Sequence, residues 1–201
     1  MKAAVLALLG AVATVAAQSV NEGPFSLMYA ASDGVPVYLY ACHSGAAQSG
    51  LCAEGDDVSL PEGQHHKFYF DGTQSWIEEQ QLTLGALWWN LPTQQVTVRL
   101  GLQLTLQYLS NAAVPIFSPG DGALRSFVFD SDNNLHLFAR QNDELAVPHW
   151  SNPYDNADAY TRWYVCWTFV GNYFYKSLAW VTSGYPTNPT CERVNVFREF
   201  V

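Results

Sequence analysis

Apolar and polar residues alternate along this chain with a period of two. The longest example runs Val96, Val98, Leu100, Leu102, Leu104, Leu106 and Tyr108, with Thr97, Arg99, Gly101, Gln103, Thr105 and Gln107 between them. Successive strand side chains point to opposite faces, so this segment reads as a strand with one apolar and one polar face. Thirteen unbroken residues would reach about 43 Å at roughly 3.3 Å each, whereas a domain of this length has a radius of gyration of about 16 Å. A bend or bulge at Gly101 is therefore expected. Shorter alternating or aromatic-rich runs occur at Phe25 to Ala30, Val35 to Ala41, Lys67 to Asp71, Ser126 to Asp130, Leu135 to Ala139, Arg162 to Val170, Tyr173 to Val181 and Arg193 to Phe197. Turn residues separate nearly all of them, and no segment shows a capped apolar stripe at helical spacing. The chain reads as all-β.

Two segments share one order of residues: Phe68-Tyr69-Phe70-Asp71-Gly72 before Trp76-Ile77, and Phe127-Val128-Phe129-Asp130 before Leu135-His136-Leu137-Phe138. Phe25 to Tyr40 reads as a degenerate first copy, with Ser32-Asp33-Gly34 at its turn. Three aromatic hairpins predict a single compact antiparallel domain, with a β-trefoil-like barrel as first choice and a two-sheet β-sandwich as the alternative.

Ahead of this pattern, Lys2, an apolar run from Ala3 to Ala13 and Val15-Ala16-Ala17 form a secretory leader with a small-residue cleavage site. Residues 1–17 are read as that leader and 18–201 as the one domain. The run is too short to span a bilayer, so the expected destination is the extracellular space or cell wall, with no membrane partner. Four cysteines fit that oxidising setting. Proximity favours Cys42 with Cys52, closing a Gly/Ser-rich loop, and Cys166 with Cys191, tying a strand to the tail.

The formal charge is −9, and losing Lys2 with the leader makes it one unit more negative. The basic residues are scattered singly, which argues against nucleic acid as a partner. No metal or cofactor is expected. Asp130, Asp132 and Asn134 have the opening spacing of a calcium loop, but Leu135 stands where Gly is needed and Gln141 where Glu is needed, so a hairpin turn is the better reading. His65 and His66 are adjacent and would point to opposite faces of a strand. Asp56-Asp57, Glu78-Glu79 and Asp143-Glu144 are acid pairs of the sort a glycoside hydrolase needs across a cleft. Adjacent acids on a strand diverge, however, and they also protect strand edges. No nucleophile or zinc motif accompanies them, so no catalytic residue is assigned.

The seven tryptophans are the remaining chemical feature, because sugars lay their C–H faces on such rings. Trp163 and Trp167 share strand parity with Val165 and Phe169, which predicts that both are core. Trp150 and Tyr154 sit in the polar loop His149-Trp150-Ser151-Asn152-Pro153-Tyr154 and are the first candidates for ligand contact. Trp88 and Trp89 are the second, since neighbours on a strand face opposite ways and at least one of them should reach solvent.

The segments Phe25-Ser26-Leu27-Met28-Tyr29-Ala30, Phe68-Tyr69-Phe70-Asp71, Phe127 through Leu137, Val165-Cys166, and Cys191 before a closing strand together resemble the secreted fungal cell-wall proteins of the phialide type. That family includes antigenic, IgE-binding members. The resemblance covers most of the chain beyond the leader; the chain differs in lacking a cysteine directly after the leader, in having Cys42, and in the aromatic stretch around Trp88. It implies a non-catalytic extracellular or wall-associated structural protein with no catalytic residues to transfer. A carbohydrate-binding module for wall polysaccharide is the alternative expectation, and a secreted glycoside hydrolase the third.

Overall fold

The computed structural model describes residues 18–30, 34–54, 63–77, 80–148 and 157–201, so the expected leader lies outside them. The described chain is all-β and antiparallel. In order it forms β1 (Ser19–Ala30), β2 (Pro36–Tyr38), β3 (Tyr40–Gly45), β4 (Gln48–Glu54), β5 (Phe68–Ile77), β6 (Gln80–Pro92), β7 (Thr97–Leu106) and β8 (Ala112–Pro119). It continues with β9 (Phe127–Phe129), β10 (Leu135–Ala139), a 3-10 turn (Asp143–Leu145), β11 (Asp158–Tyr160), β12 (Trp163–Val170), β13 (Tyr173–Val181), β14 (Glu192–Arg193) and β15 (Asn195–Phe200). Hydrogen-bonded neighbours run β11-β10-β9-β6-β7-β8-β4-β13-β12-β14. The first and last strands pair with each other, from Phe25↔Phe200 to Ala30↔Asn195. Among the described pairings this path does not close on itself.

One large core lies on the inward face. Phe25 and Leu27 of β1, Phe68 and Phe70 of β5, Leu87 and Trp89 of β6, and Trp163 and Val165 of β12 converge there. The two fully buried indoles have acceptors: Trp89 Nε1 donates to Gln64 O at 3.1 Å and Trp163 Nε1 to Leu135 O at 2.7 Å. An unpaired buried N–H would cost roughly 1–3 kcal/mol. Arg198 closes the terminal pair. Its guanidinium binds Glu22 and Asn133 Oδ1, and it lies over the Phe129 and Phe200 rings at 4.0 and 4.9 Å. One side chain thereby ties β1, β15 and the β9–β10 turn.

Three expectations are corrected. β7 continues through Gly101 with no bulge, pairing in register with Trp88 on one side and Ser118 on the other. Gly101 is there for close approach instead: a Cβ would sit 2.5 Å from the Ala123 Cβ and 3.1 Å from the Trp88 ring. Only the middle of the apolar face is covered, since Leu100 and Leu102 are buried while Val96 and Leu106 are exposed.

The threefold repeat fails at its second copy. β1–β2 and β9–β10 are hairpins, but β5 passes through Asp71-Gly72 without turning and pairs with β6 from Phe68↔Trp89 to Ile77↔Gln80. Gly72 admits no side chain because Thr83 Cγ2 and the Phe70 ring would lie 2.5 and 2.7 Å from its Cβ. Asp71 is held by Arg99 Nη2 at 2.6 Å. Finally, the Gly/Ser-rich stretch after Cys42 is no loop. It forms the hairpin β3–β4, and β4 pairs with both β8 and β13. Both disulfides join the cysteines that proximity favours, Cys42–Cys52 and Cys166–Cys191.

If Gly101 serves packing, Gly101→Ala should lower the unfolding free energy by about 1–3 kcal/mol through overpacking. Ala123→Gly in the same chain should recover most of that loss. A denaturant double-mutant cycle measures both, and additivity of the two changes would contradict the contact.

Candidate functional site

Trp150 and Tyr154 lie outside the described residues, as do Asp56-Asp57 and Glu78-Glu79. Of the second pair of candidates, Trp89 is fully buried against Phe117 and is a core residue, not a ligand surface. Trp88 is half-buried on the opposite face, as strand parity requires, and the Arg99 guanidinium lies 4.4 Å from its ring centroid. The cation stacks on one face of that ring.

The structure places the aromatic surface elsewhere. β12 and β13 pair continuously from Trp163↔Trp180 to Val170↔Tyr173. One face of this ladder carries Trp163, Val165, Leu178 and Trp180 into the core. The same face continues as Trp167, Phe169 and Phe174, which are 41%, 57% and 55% exposed. Trp167 is thus not core, contrary to its parity with Trp163: the ladder outruns the core that its first half fills. The Trp167 and Phe174 rings lie within 23° of parallel with centroids 5.7 Å apart, and Phe169 meets Phe174 at 5.2 Å and 58°. Lys176 pairs with Trp167 at the margin of this surface.

The backbone beneath these rings is fixed. Trp167 N donates to Thr190 Oγ1 at 3.0 Å, Asn188 Nδ2 donates to Trp167 O at 2.9 Å, and Gln107 Nε2 donates to Phe169 O at 2.9 Å. Cys166, next to Trp167, is cross-linked to Cys191. The turn joining the strands packs on β3, where Gly171 has φ +60° and a Cβ would fall 2.1 Å from Ser44 O. The other face of the hairpin carries Tyr173, whose ring meets His43 at 5.1 Å, and Tyr175, whose hydroxyl donates to His43 O at 3.1 Å.

That other face also floors a cavity of about 150 Å³, between the hairpin, the β7–β8 turn and the loop before Cys191. Asn111 holds its rim together. Asn111 Nδ2 donates to Ser183 O at 2.6 Å and Tyr185 O at 2.7 Å, and its Oδ1 accepts from Thr187 N at 2.9 Å. The same loop is clasped from the other end by Glu144, which accepts from Arg162 Nη1 at 3.1 Å, Arg162 Nη2 at 2.5 Å and Gly184 N at 2.6 Å. These bonds, chiefly the one from Arg162 and then the one from Gly184, hold the Glu144 carboxyl down at about 2.

Asp130 is likewise occupied. Its Oδ1 accepts from Asp132 N and Asn134 N at 2.9 and 2.8 Å, and its Oδ2 lies 3.0 Å from His136 Nε2. Partial burial works to raise its pKa, but the bonds from Asn134, His136 and Asp132 outweigh it and keep the carboxyl below its ordinary value. The turn is closed by the Asp130 side chain itself, as the turn reading anticipates.

Residues 25–200 match the family model described as Domain of unknown function (DUF7907), and the chain belongs to that family. No curated protein and no solved structure matches it. Among the described residues no helix is long and apolar enough to cross a membrane.

The folded Glu144 value lies below its unfolded one, so the clasp stabilises fully above about pH 4.5 and its contribution fades as pH falls toward about 2. Glu144→Gln should therefore flatten the acid limb of a Tm-against-pH curve in that window. Parallel curves for the wild type and the variant would contradict the assignment.

Proposed function

We propose that this member of the family is a non-catalytic secreted domain, associated with the cell wall, that holds neutral wall polysaccharide on the aromatic face of β12–β13. The observation that carries the reading is the outward continuation of a core face as Trp167, Phe169 and Phe174 on a strand whose backbone polar groups are already bonded. A contiguous apolar surface of this kind marks a contact site. Rings presented at low entropic cost suit the flat C–H faces of pyranose chains.

Secretion is supported by the leader pattern and by two disulfides, which persist in oxidising compartments. The acidic charge favours a neutral polymer over an anionic one. The non-catalytic reading is supported by where several of the described acids go: Asp71 binds Arg99, Glu144 binds Arg162, Glu22 binds Arg198 and Asp130 binds its own turn. The resemblance to fungal wall proteins of the phialide type, with their antigenic members, agrees with it. For the fold, the open path of pairings supports a sandwich-like single domain over a trefoil-like barrel.

Insoluble chitin, β-glucan and cellulose should each be tested for depletion of the secreted protein from solution, and at least one should remove it. Trp167→Ala combined with Phe174→Ala should weaken retention at least tenfold, the equivalent of ~1.4 kcal/mol, while leaving Tm nearly unchanged because both rings are exposed. Trp150→Ala with Tyr154→Ala forms the comparison arm. Loss of retention in that arm alone would move the contact to the 149–156 loop, and no depletion by any polymer would refute the reading.

A further inference from the structure

We propose that the cavity on the reverse face of the same hairpin is a binding subsite for one neutral sugar ring. It takes only the class of ligand from the polysaccharide reading; the site and its chemistry are separate. The cavity, about 150 Å³ and open on one side, suits a small ligand. An apolar cavity of ~150 Å³ accepts one benzene ring, and sites for larger ligands span ~300–1,000 Å³. This half-open cavity therefore has room for the ring of a single sugar, with its larger exocyclic groups reaching out of the mouth.

The lining chooses which kind of ring. Its floor is apolar, made by Ala112, Ala179 and the disulfide-bonded Cys166. Its rim carries the hydroxyls of Ser110, Thr168 and Thr187. None of the described lining residues is ionisable, so nothing there compensates a charged ligand. A small apolar floor under a ring of hydroxyls matches a pyranose, with its C–H face and equatorial hydroxyls, better than it matches an ion or a hydrocarbon.

The rim is also held in place before any ligand arrives. Thr187 Oγ1 lies 3.2 Å from Asn111 Oδ1 and 3.4 Å from Ser110 Oγ, and Thr182 N donates to Asn111 O at 2.8 Å. The Gln107 and Asn188 side chains on the same rim bond to Phe169 O and Trp167 O. The cavity wall and the strand bearing the aromatic surface are thus one bonded unit, so a sugar seated in the cavity and a polymer on the aromatic face would meet the same hairpin from its two sides. Fixing the rim beforehand lowers the ordering cost of a weak ligand.

The probes are glucose, mannose and N-acetylglucosamine, each titrated into the full secreted chain and followed by saturation-transfer NMR. At least one should bind with a millimolar Kd. Thr168→Phe, which fills the cavity from a half-exposed strand position, should weaken that Kd at least tenfold, and Ser110→Leu, on the turn, provides a second filling variant if Thr168→Phe does not fold. Trp167→Ala with Phe174→Ala should leave monosaccharide binding intact. Binding by none of the three sugars, or binding unchanged in a folded filling variant, overturns the inference. Loss in the aromatic double variant with retention in the filling variants also overturns it, while leaving the polysaccharide reading standing.

Discussion

The register of the β12–β13 ladder is the constraint on which the exposed aromatic surface depends. Pairing from Trp163↔Trp180 to Val170↔Tyr173 is continuous, so every second residue is committed to one face along its whole length. The core needs that face only as far as Val165 and Leu178. Beyond them the ladder cannot turn its apolar residues inward without slipping by one position, which would also expel Trp163 and Trp180 from the core. Exposed Trp167, Phe169 and Phe174 are thus a consequence of a strand pair longer than the core it serves.

An overhanging hairpin would ordinarily be a liability, since an unpaired apolar strand end invites edge pairing and fraying. Here it is braced from several directions. The Cys166–Cys191 bridge lies beside Trp167, Thr190 and Asn188 occupy the backbone groups of Trp167, Gln107 reaches Phe169 O, and the turn glycine seats on Ser44. Asn111 and Glu144 hold the loop that supplies part of this bracing. All these contacts are made to backbone and loop, which leaves the aromatic rings themselves facing solvent.

Much of the fold was legible in the chain because period-two alternation survives in exposed hairpins. β13 coincides with the expected Tyr173 to Val181 run, and β12 begins one residue after the expected Arg162. What was missed depends on contacts between distant segments. Gly50 looks like loop material, yet it is the strand residue that lets Val170 and Cys42 come close, since a Cβ would lie 2.2 Å from Val170 Cγ1. Pro115 and Pro119 disguised β8 as irregular chain, although it pairs with β7 along its length. Asp71-Gly72 carried the local signature of a turn, and only the Thr83 and Phe70 packing shows why the glycine is there. For the site, parity correctly put Trp163 and Trp167 on one face, but parity carries no information about where a core ends. That boundary depends on which distant segments cover the ladder, and no signal within 162–181 marks it.

The most direct test of the central claim is a ¹H–¹⁵N correlation spectrum of the protein titrated with soluble chitin and β-glucan oligosaccharides. The account predicts that the Trp167 indole and the backbone amides of β12 and β13 around it move first, while the buried Trp89 and Trp163 indoles stay in place. Perturbations confined to other surfaces, or none at saturating oligosaccharide, would contradict it.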